Sequence, residues 1–149
     1  MRVVLQRVSR ARVLVDGSVT GEIGPGVVVL MAVGREDASL TAAAMAEKIV
    51  NLRIFGDDRG KMNRSVLDTG GAILAISQFT LYGDARGQRR PGFIQAAPPE
   101  LGKALYDEFI LALRALGVRV ETGVFQAHMS VELANDGPVT ILLDSGKTF

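Results

Sequence analysis

The chain has 149 residues, 48% of them hydrophobic and 22% charged, which suffices for one sizeable core and argues against disorder. Seventeen Lys plus Arg against sixteen Asp plus Glu leave a formal charge of +1, too small an excess for a protein that coats duplex nucleic acid. Cysteine is absent, which excludes disulfides, thiolate nucleophiles and sulfur-rich zinc sites together.

The longest apolar run, Val27 to Val33, falls far short of the ~20 residues of a membrane helix. The opening Met1-Arg2-Val3-Val4 carries no secretory h-region, so the expectation is a cytoplasmic protein without a membrane partner. No repeat, linker or low-complexity tract interrupts the chain, and residues 1–149 read as a single domain.

Residues 2–8 and 11–15 are Val-rich, broken by Ser9-Arg10 and closed by the turn signal Asp16-Gly17; they read as paired strands. Val27 to Val33, bracketed by glycines, reads as a strand buried on both faces. From Asp37 the period changes: Ala38, Ala42, Met45, Ile49 and Leu52 share a helical face, with Asp37 as the predicted N-cap. Residues 53–71 read as a strand end and turns, and Ala72 to Tyr82 as a central strand followed by a polar loop, Gly83 to Gly92.

Pro98-Pro99-Glu100 opens a second helix, since a first-turn proline sacrifices no hydrogen bond. Leu105, Phe109, Ala112 and Leu116 form its predicted stripe, and Gly117 its left-handed stop. Strands near 118–121, 124–134 and 139–143 complete the chain. This order predicts an α+β layered domain, with mixed β-sheet and two helices on one face.

Catalytic groups are few. The single His, His128, falls in an alternating segment with Met129, Val131 and Leu133, which turns it away from those three and toward solvent or a polar contact. A His-based triad is therefore disfavoured. No His or carboxylate cluster has ligand spacing, so no metal or other cofactor is expected. The glycine-rich turns lack a phosphate-loop pattern.

Two segments hold polar groups beyond what packing requires. Ser77-Gln78-Phe79-Thr80-Leu81 sits at a predicted strand end, where sites gather because the backbone leaves the ladder there. The plainer reading is that Ser77 and Thr80 satisfy backbone groups while Gln78 is surface. Asn135-Asp136-Gly137-Pro138-Val139-Thr140 is ordinary turn chemistry and reads first as a hairpin between two strands.

Together these two segments resemble the signature motifs of the D-aminoacyl-tRNA deacylase family. The similarity continues through Gln6-Arg7-Val8, Arg53-Ile54-Phe55, Gly60-Lys61-Met62-Asn63 and Arg90-Pro91-Gly92-Phe93. Two departures stand out: Gln126, where a small residue is expected, and Tyr82-Gly83, where alanines are frequent. The resemblance implies a homodimeric hydrolase that cleaves D-aminoacyl-tRNA, and glycyl-tRNA, while sparing L-aminoacyl-tRNA. It implies sites at the subunit interface: Ser77, Gln78, Phe79 and Thr80 of one subunit line the pocket, and Gly137-Pro138, with a cis bond, enters from the other as a chiral filter.

The resemblance also implies chemistry without a protein nucleophile, assisted by the 2′-hydroxyl of the terminal adenosine. Amides near Phe79 and Thr80 would then face the developing oxyanion. Met129, Phe125, Arg89 and Arg90 are the further substrate-binding candidates, the arginines through tRNA phosphates; Arg86 belongs to the same basic loop. Two alternatives stand beside this reading. Thr80 could act as nucleophile, although no base accompanies it in the motif, or the chain could be a non-catalytic dimeric RNA-binding module.

Overall fold

The computed structural model describes residues 1–149. Its first strand, β1 (Arg2–Val15), runs unbroken for 14 residues, so the predicted pair 2–8 and 11–15 is one element. The Ser9-Arg10 signal is real but marks an irregularity: the register slips between Gln6 and Val8 and between Val8 and Arg10. Burial parity slips with it. Val3 and Leu5 enter one core, whereas Val8, Ala11 and Val13 enter another. The strand bends and serves two layers in turn.

Asp16 and Gly17 adopt φ of 49° and 78°, the left-handed pair of a two-residue hairpin turn, and lead into β2 (Ser18–Ile23). Next, β3 (Gly26–Ala32) lies between β1, antiparallel, and β6 (Ala72–Ser77), parallel. Val27, Val29 and Met31 face the main core and Val28 the second, so both faces are buried as expected. Here β3 and β6 come very close: a Cβ on Gly26 would lie 1.9 Å from the Ala72 carbonyl oxygen.

Helix α1 (Ser39–Asn51) buries Ala42, Met45, Ala46, Ile49 and Val50. Its N-cap is Ala38, not Asp37. Asp37 is drawn away by stronger partners, accepting from the Met1 amino group at 2.6 Å and from the Gly34 amide at 2.7 Å. Helix α3 (Pro99–Ala115) begins at Pro99 as predicted and buries Leu105, Tyr106, Phe109, Ile110 and Leu113. Leu116 is exposed beyond the last turn, and Gly117 takes the left-handed φ of 92°. Both helices cover the same sheet face, forming a 23-residue core with Val3, Leu5, Val27, Val29, Met31, Ile73 and Ala75. Each buried Leu, Ile or Phe there contributes about 1.5–3 kcal/mol.

Between α1 and β6, residues expected as turns hold a small hairpin, β4 (Phe55–Gly56) with β5 (Met62–Arg64), and a short helix, α2 (Val66–Thr69). Ser65 and Asp68 cap that helix reciprocally, at 3.2 and 2.8 Å. The sheet continues into β7 (Arg119–Thr122), parallel to β6. The last strand, β8 (Ser130–Asp144), corrects the predicted hairpin: it runs 15 residues antiparallel to β1 from end to end. Between the pairs Val8–Asn135 and Gln6–Thr140, Asp136 to Val139 bulge out opposite Arg7 alone. The architecture is thus the mixed-sheet α+β layering expected, with one additional short helix.

Candidate active site

The parallel pair β3 and β6 ends at one rim of the sheet, and a cleft of about 740 Å³ opens there. Carboxyl ends of parallel strands are where backbone groups come free of the ladder. The Gln78 amide makes the last such bond, to Met31 O at 2.7 Å. The chain then winds into a 3-10 turn, Phe79–Tyr82; the predicted strand to Tyr82 therefore stops at Ser77.

Within the turn, the Leu81 amide donates to Gln78 O at 3.2 Å and the Gly83 amide to Thr80 O at 2.9 Å. The amides of Phe79 and Thr80, first in the turn, have no backbone acceptor. They form a pair of adjacent donors, Phe79 in the cleft wall and Thr80 the next residue beyond it. On the opposite side of the turn, Arg2 Nη1 donates to Leu81 O at 3.1 Å, and its guanidinium stacks 4.6 Å from the Tyr82 ring centroid. Burial and the nearby Asp37 and Asp144 charges push the Tyr82 hydroxyl up to about 12, against the smaller opposing pull of Arg2.

Ser77, Gln78 and Phe79 line the cleft, together with Phe125 and Met129. Thr80 does not; it is exposed, and its hydroxyl accepts from Gln78 Nε2 at 2.5 Å. The Phe79 ring, 56% exposed, meets the Phe93 ring edge-on at 5.0 Å, which makes an aromatic wall. Val33, Ile76, Pro98 and Val131 give the interior an apolar character. No Asp, Glu, Lys or Cys lines the cleft.

Two lining residues escaped the sequence reading. Arg35 lies in the turn after β3, where nothing in its neighbourhood suggested a site. His128 is exposed, but it precedes β8 in irregular chain and lines the cleft rather than standing in a strand. Gln126, the departure noted in sequence, also lines the cleft, with a positive φ of 65°.

Arg89 and Arg90 lie outside the cleft on an exposed loop closed by reciprocal Asp84 and Gly92 backbone bonds of 2.8 and 2.9 Å. The third arginine of that patch is neutralised: Arg86 pairs with Asp84 at 2.7 Å. That hydrogen-bonded pair holds the Asp84 carboxyl well below the usual range.

Gly137 and Pro138 are elsewhere. Their peptide bond is cis, and both residues are exposed at the β8 bulge. Arg7 supports the bulge, with Nε 3.2 Å from Asp136 O and Nη1 2.6 Å from Ile54 O. Ser77 pairs with Met31, which pairs with Val3, whereas the bulge stands opposite Arg7 and three strands away. Four residues along the strands and three interstrand steps separate the two motifs by roughly 20 Å. Within one copy of this chain the two motifs therefore stand well apart.

No group of three or more His, Asp and Glu converges anywhere in the chain. A cleft with apolar walls and a pair of free amides is the geometry of a site that holds an acyl group and stabilises an oxyanion from the backbone. Comparison with known proteins agrees in kind. The family model described as D-Tyr-tRNA(Tyr) deacylase matches residues 4–144, and the chain belongs to that family. It is 63% identical over 149 residues to a D-aminoacyl-tRNA deacylase of Symbiobacterium thermophilum, covering 100% of this chain and 99% of the relative. A D-aminoacyl-tRNA deacylase of Koribacter versatilis is 60% identical over the whole of both chains. Among solved structures, one titled c-Myc DNA Unwinding Element Binding Protein superposes with a TM-score of 0.92 at 41% identity, covering 97% of this chain and 99% of its own.

Proposed function

We propose that this chain hydrolyses the ester joining a D-amino acid, or glycine, to the 3′ end of tRNA, as a homodimer in the cytoplasm. The observation that carries the reading is the pair of free amides where the chain turns out of the cleft wall, at Phe79 and the adjoining Thr80, in a chain from this family. Donors already fixed in place stabilise charge that develops only in the transition state, without reorganising. The acyl carbonyl oxygen faces those amides, and the terminal adenosine occupies the apolar part of the cleft. Its 2′-hydroxyl gives the acid–base assistance, since no carboxylate, Lys or Cys lines the cleft and His128 is the one lining side chain that could compete for that role. Thr80 lies outside the cleft, and its hydroxyl is engaged by Gln78 rather than by a base.

Gly137-Pro138 of a second subunit enters the cleft and stands where an L side chain would project. The separation of the two motifs within one chain and the exposure of the bulge support this arrangement. Selection is then by exclusion, and D side chains are tolerated because none is gripped.

Thr80→Ala is expected to retain turnover within roughly tenfold of wild type, or ~1.4 kcal/mol of barrier. Wild-type enzyme should be nearly inert toward tRNA ending in 2′-deoxyadenosine. Loss of several orders of magnitude in Thr80→Ala with the fold intact would favour Thr80 as nucleophile; a wild type inert toward D-tyrosyl-tRNA would favour an RNA-binding module. The filter is tested with glycyl-, D-alanyl- and L-alanyl-tRNA under identical conditions. A methyl is worth only ~1–3 kcal/mol in attractive binding, so exclusion predicts that the first two are hydrolysed alike and the third is spared. If glycyl-tRNA survives as L-alanyl-tRNA does, the cleft grips D side chains instead.

A further inference from the structure

We propose that Arg35 anchors the phosphodiester backbone of the substrate's 3′ strand where that strand leaves the reaction cleft. The inference rests on the aminoacyl-tRNA reading above and assigns a route to the part of the substrate that the cleft does not hold. Arg35 is the only Arg or Lys that lines the cleft, and it also lines a second, larger groove of about 1220 Å³. That groove runs between α1 and the chain after β8, past Leu40, Lys48, Leu142 and Lys147. Arg35 therefore stands at the junction of the two spaces.

Its side chain is held but not neutralised. The backbone amide donates to Gln95 O at 3.2 Å and Nε donates to Ile94 O, which fixes the guanidinium while both Nη groups keep their donors. No carboxylate lies within ion-pair distance of it. The other arginines on the groove are answered: Arg2 by Asp144 at 3.7 Å and Arg86 by Asp84 at 2.7 Å.

The acids there are largely spent. Asp37 is 2.5 Å from the Met1 amino group, and Asp144 accepts from the Gly146 amide at 2.8 Å as well as from Thr148. Arg35, Lys48 and Lys147 remain unpaired against a single free side-chain carboxylate, Glu36. A planar guanidinium with two free edges suits a phosphodiester, which it can meet with parallel bonds. The lysines beyond it would act as less directional charges along the same path.

The test uses full-length D-aminoacyl-tRNA with wild type, Arg35→Gln, Arg35→Lys and the double variant Lys48→Ala/Lys147→Ala. Arg35 is exposed and makes one side-chain bond, so Arg35→Gln is expected to fold. It should raise KM by about tenfold, the scale of one charged hydrogen-bonded contact, and leave kcat within about twofold. The dependence of log KM on log salt should flatten by roughly 0.7, one single-strand phosphate's worth of counterion release. Arg35→Lys should restore most of the salt slope, and the lysine pair should give a smaller effect of the same kind. An unchanged KM and salt slope in Arg35→Gln, or a loss confined to kcat, overturns the proposal while leaving the deacylase reading intact. A wild type that hydrolyses no D-aminoacyl-tRNA removes the parent reading instead.

Discussion

At Gln126 the backbone takes φ of 65°, a conformation that costs an L residue about 1–2 kcal/mol and a glycine almost nothing. The side chain makes no hydrogen bond that would offset this, and it lines the cleft beside Phe125 and His128. The structure therefore gives a physical reason for the small residue expected here from the sequence. Gln126→Gly should relieve the strain and raise unfolding stability by about 0.5–1 kcal/mol, net of the entropy that glycine adds to the unfolded chain. Chemical denaturation measures it. Unchanged or lowered stability would mean that Gln126 makes compensating contacts in the assembled protein. Gly137 is the opposite case. At φ of 124°, a Cβ there would lie 3.0 Å from both Arg7 Nη2 and Val139 Cγ2, so a side chain meets strain and crowding together.

Elements with an uninterrupted period were legible in the sequence. The middle of the α1 stripe (Ala42, Met45 and Ile49), the Pro99 start of α3 and the doubly buried β3 each follow from spacing alone, because each buries its own pattern against a continuous core, whereas Ala38 and Leu52 fall outside the helix as its caps. Where local and long-range preferences compete, the local signal misleads. Asn135-Asp136-Gly137-Pro138 favours a turn, yet the ladder to β1 resumes beyond it and converts the turn into a bulge. Ser9-Arg10 looked like a break because the sequence does not show β8 passing beside it. The Ser77 to Thr80 segment stands out in the sequence for its polar groups, but its 3-10 turn does not: that turn is pinned from outside, by Arg2 reaching across to Leu81 and Tyr82. The same contact accommodates Tyr82 where alanine was expected, since its ring fills the space between Arg2 and Gly34. Arg35 was missed for a related reason. Its importance lies in standing between two cavities, and a cavity has no signature in the primary sequence.

At the scale of the whole molecule, the two motifs lie three strands apart in one sheet, and the proposed cross-subunit site would need two copies. Complementation tests this directly. Phe79→Asp places a carboxylate beside the free amides and should disable the cleft of its own subunit. Gly137→Val should disable the bulge. Each homodimer should be nearly inactive, whereas co-expressed chains form mixed dimers in which one cleft and one bulge, from different subunits, remain intact. Random pairing predicts recovery of about a quarter of wild-type activity. No recovery in isolated mixed dimers would mean that each subunit completes its own site. The pairing of β1 with β8 has a consequence for synthesis as well. Arg2 lies opposite Asp144 and Leu14 opposite Ser130, so the first strand made must wait for the last. Until Ser130 to Asp144 leave the ribosome, β1 keeps one edge without a partner, and any such edge can recruit a neighbouring nascent chain. With its contacts so far apart along the chain, closure belongs to the slower end of the folding range, milliseconds to seconds.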